Sequence, residues 1–347
     1  MGTIVLLFTV TGLLATTWQK HTVNQSRYRL AILTTPDNGP ETFLHIVEVG
    51  LPFPPPTAKF RHLPDAAVRG VVLPDGAVLA IADYEPGRDR SFGSALFRLE
   101  PGAEPTLVCD RVVFASRPLI TPEGRVFIQR GAAGPATQGG ETRVDSLSIE
   151  EVDLSTGDTK VIWQSTGYIA YTAAAFQGDI VLYHIRPEGA RVILVNMETG
   201  AEKVVLPSLP PFASDFSITD TGDLVFQNRD EKRTDLWIVE SLRLTSGERQ
   251  RFPGDQASLA PRAWPHGEVT WNTQKGLHTT ISPLSIKPLQ GLIDIRAFSP
   301  DGAVAAAYVF PLDSSAPDII LVDSTGAQKT RIATPPRTPL TVAGFVP

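Results

Sequence analysis

The stretch Gly70-Val71-Val72-Leu73-Pro74-Asp75-Gly76-Ala77-Val78-Leu79-Ala80-Ile81 decides the fold. Two apolar, β-branched runs flank a Pro-Asp-Gly turn, which reads as two antiparallel strands joined tightly. The arrangement recurs along the chain. Pro122-Glu123-Gly124 precedes Arg125-Val126-Phe127-Ile128, and Phe176-Gln177-Gly178 precedes Asp179-Ile180-Val181-Leu182. Asp220-Thr221-Gly222, Pro265-His266-Gly267 and Pro300-Asp301-Gly302 likewise introduce apolar runs. The glycines are spaced by 48, 54, 44, 45 and 35 residues.

A second turn signal follows the first by 22 to 33 residues in five of the six units. It reads Pro101-Gly102, Ser155-Thr156-Gly157, Glu198-Thr199-Gly200, Thr245-Ser246-Gly247 and Ser324-Thr325-Gly326. Each unit is thus an A-B-C-D meander with tight A–B and C–D turns and a variable B–C loop. Repeats of roughly 40–45 residues with four strands are the signature of propeller blades. The unit near 257–290 lacks a clear second signal, so its outer strands are the least defined.

After the last unit, Pro339 to Val346 reads as an A strand with nothing following. Tyr28–Leu33, Leu44–Val49 and Thr57–Arg61 read as B, C and D strands with no A strand before them. Joining these ends predicts a shared blade that closes the ring and removes free sheet edges. The expectation is an all-β, seven-bladed β-propeller over residues 26–347. A six-bladed ring, with the N-terminal strands as a flap, is the runner-up.

Residues 1–25 stand apart. Gly2 to Trp18 carries no charge, and Ile4, Val5, Leu6, Leu7, Phe8, Val10, Leu13 and Leu14 make it strongly apolar. A helix there would span roughly 28 Å at 1.5 Å per residue, near the thickness of a bilayer core. Trp18 is placed as an interfacial anchor. The expectation is a single N-terminal hydrophobic helix serving as a membrane anchor with a short tether. A cleaved signal peptide and a pair of buried strands are the competing readings. No Lys or Arg precedes residue 20, and Ala15-Thr16-Thr17 matches a cleavage site poorly.

The Pro-Asp-Gly turns and the strand-turn-Gly-strand endings resemble the TolB-type family of propeller repeats, related to WD40 repeats, across about residues 65–335. The His and Trp-Asp signatures of WD40 repeats are missing. The resemblance implies a bacterial, often periplasmic, protein-binding propeller, and it brings no catalytic residues with it.

Searching for chemistry yields little. The net charge of −6 argues against nucleic acid as partner, because phosphate binding needs concentrated Lys and Arg. Cys109 is the only cysteine, so neither a disulfide nor a cysteine metal site can form within the chain. The six histidines have no metal-binding spacing, and neither a nucleophile elbow nor a phosphate loop is present. No catalytic, metal or cofactor site is expected. The long B–C loops are the candidate partner-binding elements, because binding residues concentrate on loops of rigid scaffolds. They carry Arg88, Asp89 and Arg90 in Asp83–Gly93, Arg130 and Arg143 in the adjacent loop, and Arg229, Lys232 and Arg233 in Asn228–Thr234. Tolerated surface insertion is the bland alternative.

Three functions follow from these readings. The first is a non-enzymatic accessory or scaffolding subunit of a bacterial membrane complex, photosynthetic or respiratory. It would touch integral-membrane subunits and reach the bilayer through its N-terminal helix. The second is a soluble periplasmic TolB-like adaptor released by signal cleavage. The third is a central-channel enzyme or small-ligand binder, marked by convergent carboxylates or histidines and removed by an apolar or neutral channel. Lys20, Arg27 and Arg29 follow the apolar segment, which favours a cytoplasmic propeller, but large domains translocate despite such charges. The resemblance tips the expectation to the periplasmic side.

Overall fold

The computed structural model describes residues 28–84, 93–113, 117–133, 144–166, 169–210, 212–252, 257–273, 276–280, 292–310, 317–332, 334–335 and 338–347. The expected anchor and tether, including Ile4, Val5, Leu6, Leu7, Phe8, Val10, Leu13, Leu14 and Trp18, lie outside these residues. Among the described residues no helix is long and apolar enough to cross a membrane.

The chain is a succession of antiparallel meanders. It opens with β1 (Arg29–Thr34), β2 (Glu41–Glu48) and β3 (Ala58–Arg61). Next come β4 (Val68–Val72), β5 (Val78–Asp83), β6 (Ser94–Leu99) and β7 (Thr106–Val112). A short β8 (Leu119–Ile120) leads into β9 (Val126–Ala133), β10 (Val144–Val152) and β11 (Thr159–Thr166). The fourth meander is β12 (Ile169–Phe176), β13 (Asp179–Arg186), β14 (Gly189–Asn196) and β15 (Glu202–Leu209). The fifth is β16 (Ser214–Ile218), β17 (Asp223–Arg229), β18 (Trp237–Arg243) and β19 (Arg249–Arg251). Three strands of the sixth are described: β20 (Leu259–Ala263), β21 (Val269–Thr273) and β22 (Gly276–Thr279). Then come β23 (Leu292–Phe298), β24 (Val304–Phe310), β25 (Asp318–Asp323) and β26 (Gln328–Ile332), and finally β27 (Leu340–Val346).

β27 pairs antiparallel with β1, Arg29 opposite Val346 and Thr34 opposite Leu340, in the sheet order β27-β1-β2-β3. β4 to β11 form one eight-stranded sheet, but it consists of two meanders joined by a single pairing of Val112 with Arg130.

Five A–B turns share one hydrogen-bond scheme, whereas Gln177-Gly178 forms a two-residue hairpin between Phe176 and Asp179. Gly76 N–H donates to Leu73 O at 2.9 Å, and Gly222 N–H to Thr219 O at 3.0 Å. Both glycines sit at positive φ, +87° and +84°, which a side chain would strain. A Cβ on Gly222 would also strike the Phe176 ring at 2.4 Å.

Sheets pack face to face around a ring, so central strands are buried on both sides and read as continuous apolar runs. β1 shows the consequence of side-chain alternation. Ala31 and Leu33 pack with Val78, Ala80, Ala95 and Phe97 of the following sheet. Leu30 and Ile32 pack with Ala306, Ile319 and Leu321 of the preceding one. Each fully buried Val, Leu, Ile or Phe among them contributes about 1.5–3 kcal/mol.

Buried amides on three B strands tie their sheets to the neighbouring inner strand. Asn272 donates to Ile293 O at 2.7 Å and accepts from Ile293 N–H at 3.0 Å. Gln227 accepts from Ala260 N–H at 3.0 Å, and Gln129 donates to Ala170 O. These bonds satisfy polar groups on the inner strands that no sheet partner can reach.

Candidate functional site

The inner strands meet around a cavity of about 960 Å³. β4, β8, β12, β16, β20, β23 and β27 all contribute to its wall, with segments such as Ala67–Arg69, Arg117–Leu119 and Phe212–Phe216. These are the beginnings of inner strands and the D–A connections before them. The cavity therefore opens on the face that carries the B–C and D–A connections.

Four arginines line it: Arg69, Arg117, Arg262 and Arg296. Two of them are held firmly. Arg262 donates through Nε to Ile295 O at 2.9 Å and through Nη1 to Pro261 O at 2.8 Å. It also lies 3.5 Å from an Asp294 carboxylate oxygen and 3.7 Å from one of Asp215. Arg296 pairs with Asp294 and lies 4.9 Å over the Tyr308 ring. The Tyr308 hydroxyl accepts from Val342 N–H at 2.7 Å and donates to Leu340 O at 3.2 Å, pinning the start of β27. Tyr183 does the same for the D–A connection, donating to Pro210 O at 2.7 Å and accepting from Ala213 N–H at 3.2 Å. Burial pushes its phenol up to about 12.

Arg117 differs. Its side chain reaches water in the cavity, yet protein surrounds it, and it has no hydrogen-bond or ion-pair partner among the described residues. Burial, followed by repulsion from Arg296, Arg262 and Arg69, brings its guanidinium down to about 10. Burial and Arg296 also lower Arg69. Among the described residues four guanidiniums thus stand near two carboxylates, Asp215 and Asp294, in a protein whose net charge is −6. Such a wall attracts anions; on it the Ser214 hydroxyl lies 3.4 Å from Asp215 Oδ2. Among the described residues no group of three or more His, Cys, Asp or Glu could hold a metal ion. The wall is neither the cluster of carboxylates or histidines nor the apolar channel that the sequence reading set as its alternatives.

The loop residues expected to bind partners fare differently from one another. Arg88, Asp89, Arg90 and Arg143 lie outside the described residues. Arg130 is not in a loop: β9 runs on to Ala133, and Arg130 pairs with Asp110 at 3.0 Å and Glu150 at 3.3 Å. Both partners sit on neighbouring strands, so its charge is already satisfied. Arg229 ends β17, with its guanidinium 4.6 Å over the Trp237 ring and 5.4 Å from that of Phe212. Lys232 and Arg233 are exposed on a turn whose N–H groups donate to Asp230 Oδ1 at 2.8 and 2.9 Å. Those bonds hold the Asp230 carboxyl below its usual range.

The sequence reading missed the cavity arginines. A signal existed: Arg69, Arg117, Tyr171 and Asp215 each stand seven residues before the glycine of their A–B turn, and all four line the cavity.

Neither a protein-family model nor a curated protein matches the sequence. Solved structures do match. TolB from Acinetobacter baumannii aligns over 94% of this chain and 70% of its own, at 12% identity and a TM-score of 0.51. This chain folds like TolB. The chain also shares its fold with prolyl oligopeptidase B from Galerina marginata, over 91% of this chain and 53% of that one, at 11% identity and a TM-score of 0.56. A putative TolB from Agrobacterium tumefaciens aligns over 88% of this chain and 89% of its own, at 12% identity and a TM-score of 0.44.

Proposed function

We propose that this chain is a non-enzymatic, seven-bladed propeller that binds other proteins through its cavity face. Held to a membrane by residues 3–19 on the periplasmic side, it would serve as an accessory or scaffolding subunit of a membrane complex. The seven inner strands lining one cavity support the blade number, as does the twin meander within the eight-stranded sheet.

One observation carries the binding reading. Among the described residues the exposed large aromatics are Tyr84, Phe212 and Phe310, 41%, 57% and 37% exposed. All three stand at B-strand ends or a D–A connection, so they gather on the face where the cavity opens. Phe212 and Arg229, with Asp230, Glu231 and Thr234, also border a shallow cavity of about 520 Å³ on that face. Aromatic and arginine side chains dominate the energetics of protein interfaces. β1 begins on the opposite face, beside Val346 at the end of β27. An anchor preceding it would leave the aromatic face free to meet extramembrane parts of integral-membrane partners.

The test is affinity purification of the full chain from solubilised membranes, with blue-native electrophoresis and N-terminal sequencing. A stable complex that is lost in Tyr84→Ala/Phe310→Ala supports the reading. A lone soluble monomer sinks it, and a processed N-terminus points to the released adaptor.

A further inference from the structure

We propose that the arginine-lined cavity is a binding site for a small polyanion, a molecule carrying two or more carboxylate or phosphate groups. The inference goes beyond the protein-binding reading and does not depend on it, since it rests on the arginines rather than on Tyr84, Phe212 and Phe310, of which Phe212 alone also borders the cavity.

The chemistry of the wall selects the ligand. Guanidinium presents a planar fork of donors that matches carboxylate and phosphate oxygens two at a time, which an ammonium does not. Arg262 is fixed by two backbone carbonyls, and Arg296 by Asp294 and the Tyr308 ring. Neither needs to be ordered when a ligand arrives, so less entropy is lost on binding. The Arg296 Nε–H is buried and has no acceptor among the described residues. Arg117, without a hydrogen-bond or ion-pair partner among the described residues and repelled by its three neighbours, is the group that gains most from an added anion.

Charge balance and size point the same way. Among the described residues the guanidiniums of Arg117, Arg262 and Arg296 outnumber the carboxylates of Asp215 and Asp294 within an acidic protein, where low-dielectric walls concentrate the field. A volume of about 960 Å³ lies at the upper end of those that hold metabolite-sized ligands. The arginines sit on or just before the inner strands rather than on the long loops, so the anion must enter the cavity. That favours a small molecule over a folded acidic surface.

The experiment is calorimetric titration of the full chain in detergent with citrate and with inorganic pyrophosphate at matched ionic strength, using acetate and glucose as controls. One of the polyanions is expected to bind at one site per chain, and its identity separates a carboxylate from a phosphate ligand. Arg117→Gln should weaken that binding about tenfold, the equivalent of about 1.4 kcal/mol. Arg117→Lys, which keeps the charge and loses the fork, should also weaken it. Tyr84→Ala should leave it unchanged. Saturable binding of neither polyanion overturns the proposal, as does equal binding by wild type and Arg117→Gln. Binding of an acidic peptide alone overturns it too.

Discussion

Replacing Arg117 by glutamine should make the ligand-free protein more stable, which is the reverse of what most substitutions do. A guanidinium brought down to about 10 has lost roughly 3 kcal/mol of preference for its charged form, at ~1.4 kcal/mol per pH unit. Water in the cavity screens it, so about 1 kcal/mol of that is expected to appear as stability. The sign follows from linkage. Folding disfavours the charged form, so the penalty is present at every pH below the folded value and is relieved only above it. At pH 7 the variant should melt about 2 °C higher than wild type, taking the usual shift per kcal/mol for a domain of more than 150 residues. Scanning calorimetry in 20 mM buffer would measure it. In 1 M salt, where the screening length falls to about 3 Å, the gain should shrink. An unchanged or lower melting point at low salt would refute the repulsion argument, and so would a gain indifferent to salt.

Three further outcomes are expected. Gly70→Ala should destabilise the fold by about 1–3 kcal/mol, because a Cβ there would lie 2.7 Å from Leu33 Cδ1 and 2.9 Å from Ala343 Cβ; denaturant melts would show it, and an unchanged midpoint would disprove the tight fit. Acidification below 6.5, the ordinary histidine value, should lower the melting point, because burial depresses both His45 and His62 and the unfolded chain takes up their protons first. His62→Gln should flatten that dependence, whereas a wild-type melting point that is level from pH 7.5 to 5.5 would contradict it. Finally, burial pushes the Cys109 thiol up to about 11, so a disulfide reagent at pH 8 should label the native protein far more slowly than the unfolded one; equal rates would show the thiol to be accessible.

The local grammar of the fold was readable because turns are decided by a few adjacent residues. Pro74-Asp75-Gly76 sets both the backbone angle and the bond from Gly76 N–H to Leu73 O, and Asp220-Thr221-Gly222 does so again. The all-β reading and the TolB-type resemblance rested on that grammar. Arg130 was misplaced because the Gly-Ala-Ala-Gly run after it looks like loop, whereas pairing with β10 carries the strand through Ala133. The cavity was harder to see. Arg69, Arg117, Arg262 and Arg296 come from four separate repeats, and a lone arginine in an inner strand looks like any surface charge. Only counting back from each turn glycine would have put two of them in one register, beside Tyr171 and Asp215.

The pairing of β27 with β1 bears on how the molecule is made. A ribosome delivers Arg29–Thr34 before every other strand of the ring and Leu340–Val346 after them, so the first strand must wait for the rest of the ring to be synthesised before it meets its neighbour. Until then the nascent chain is an open arc whose leading sheet lacks its innermost strand, with Leu30 and Ile32 unsheltered from other chains. Closure is therefore a late event, and any defect that delays it lengthens the interval in which that unfinished edge can recruit a stranger.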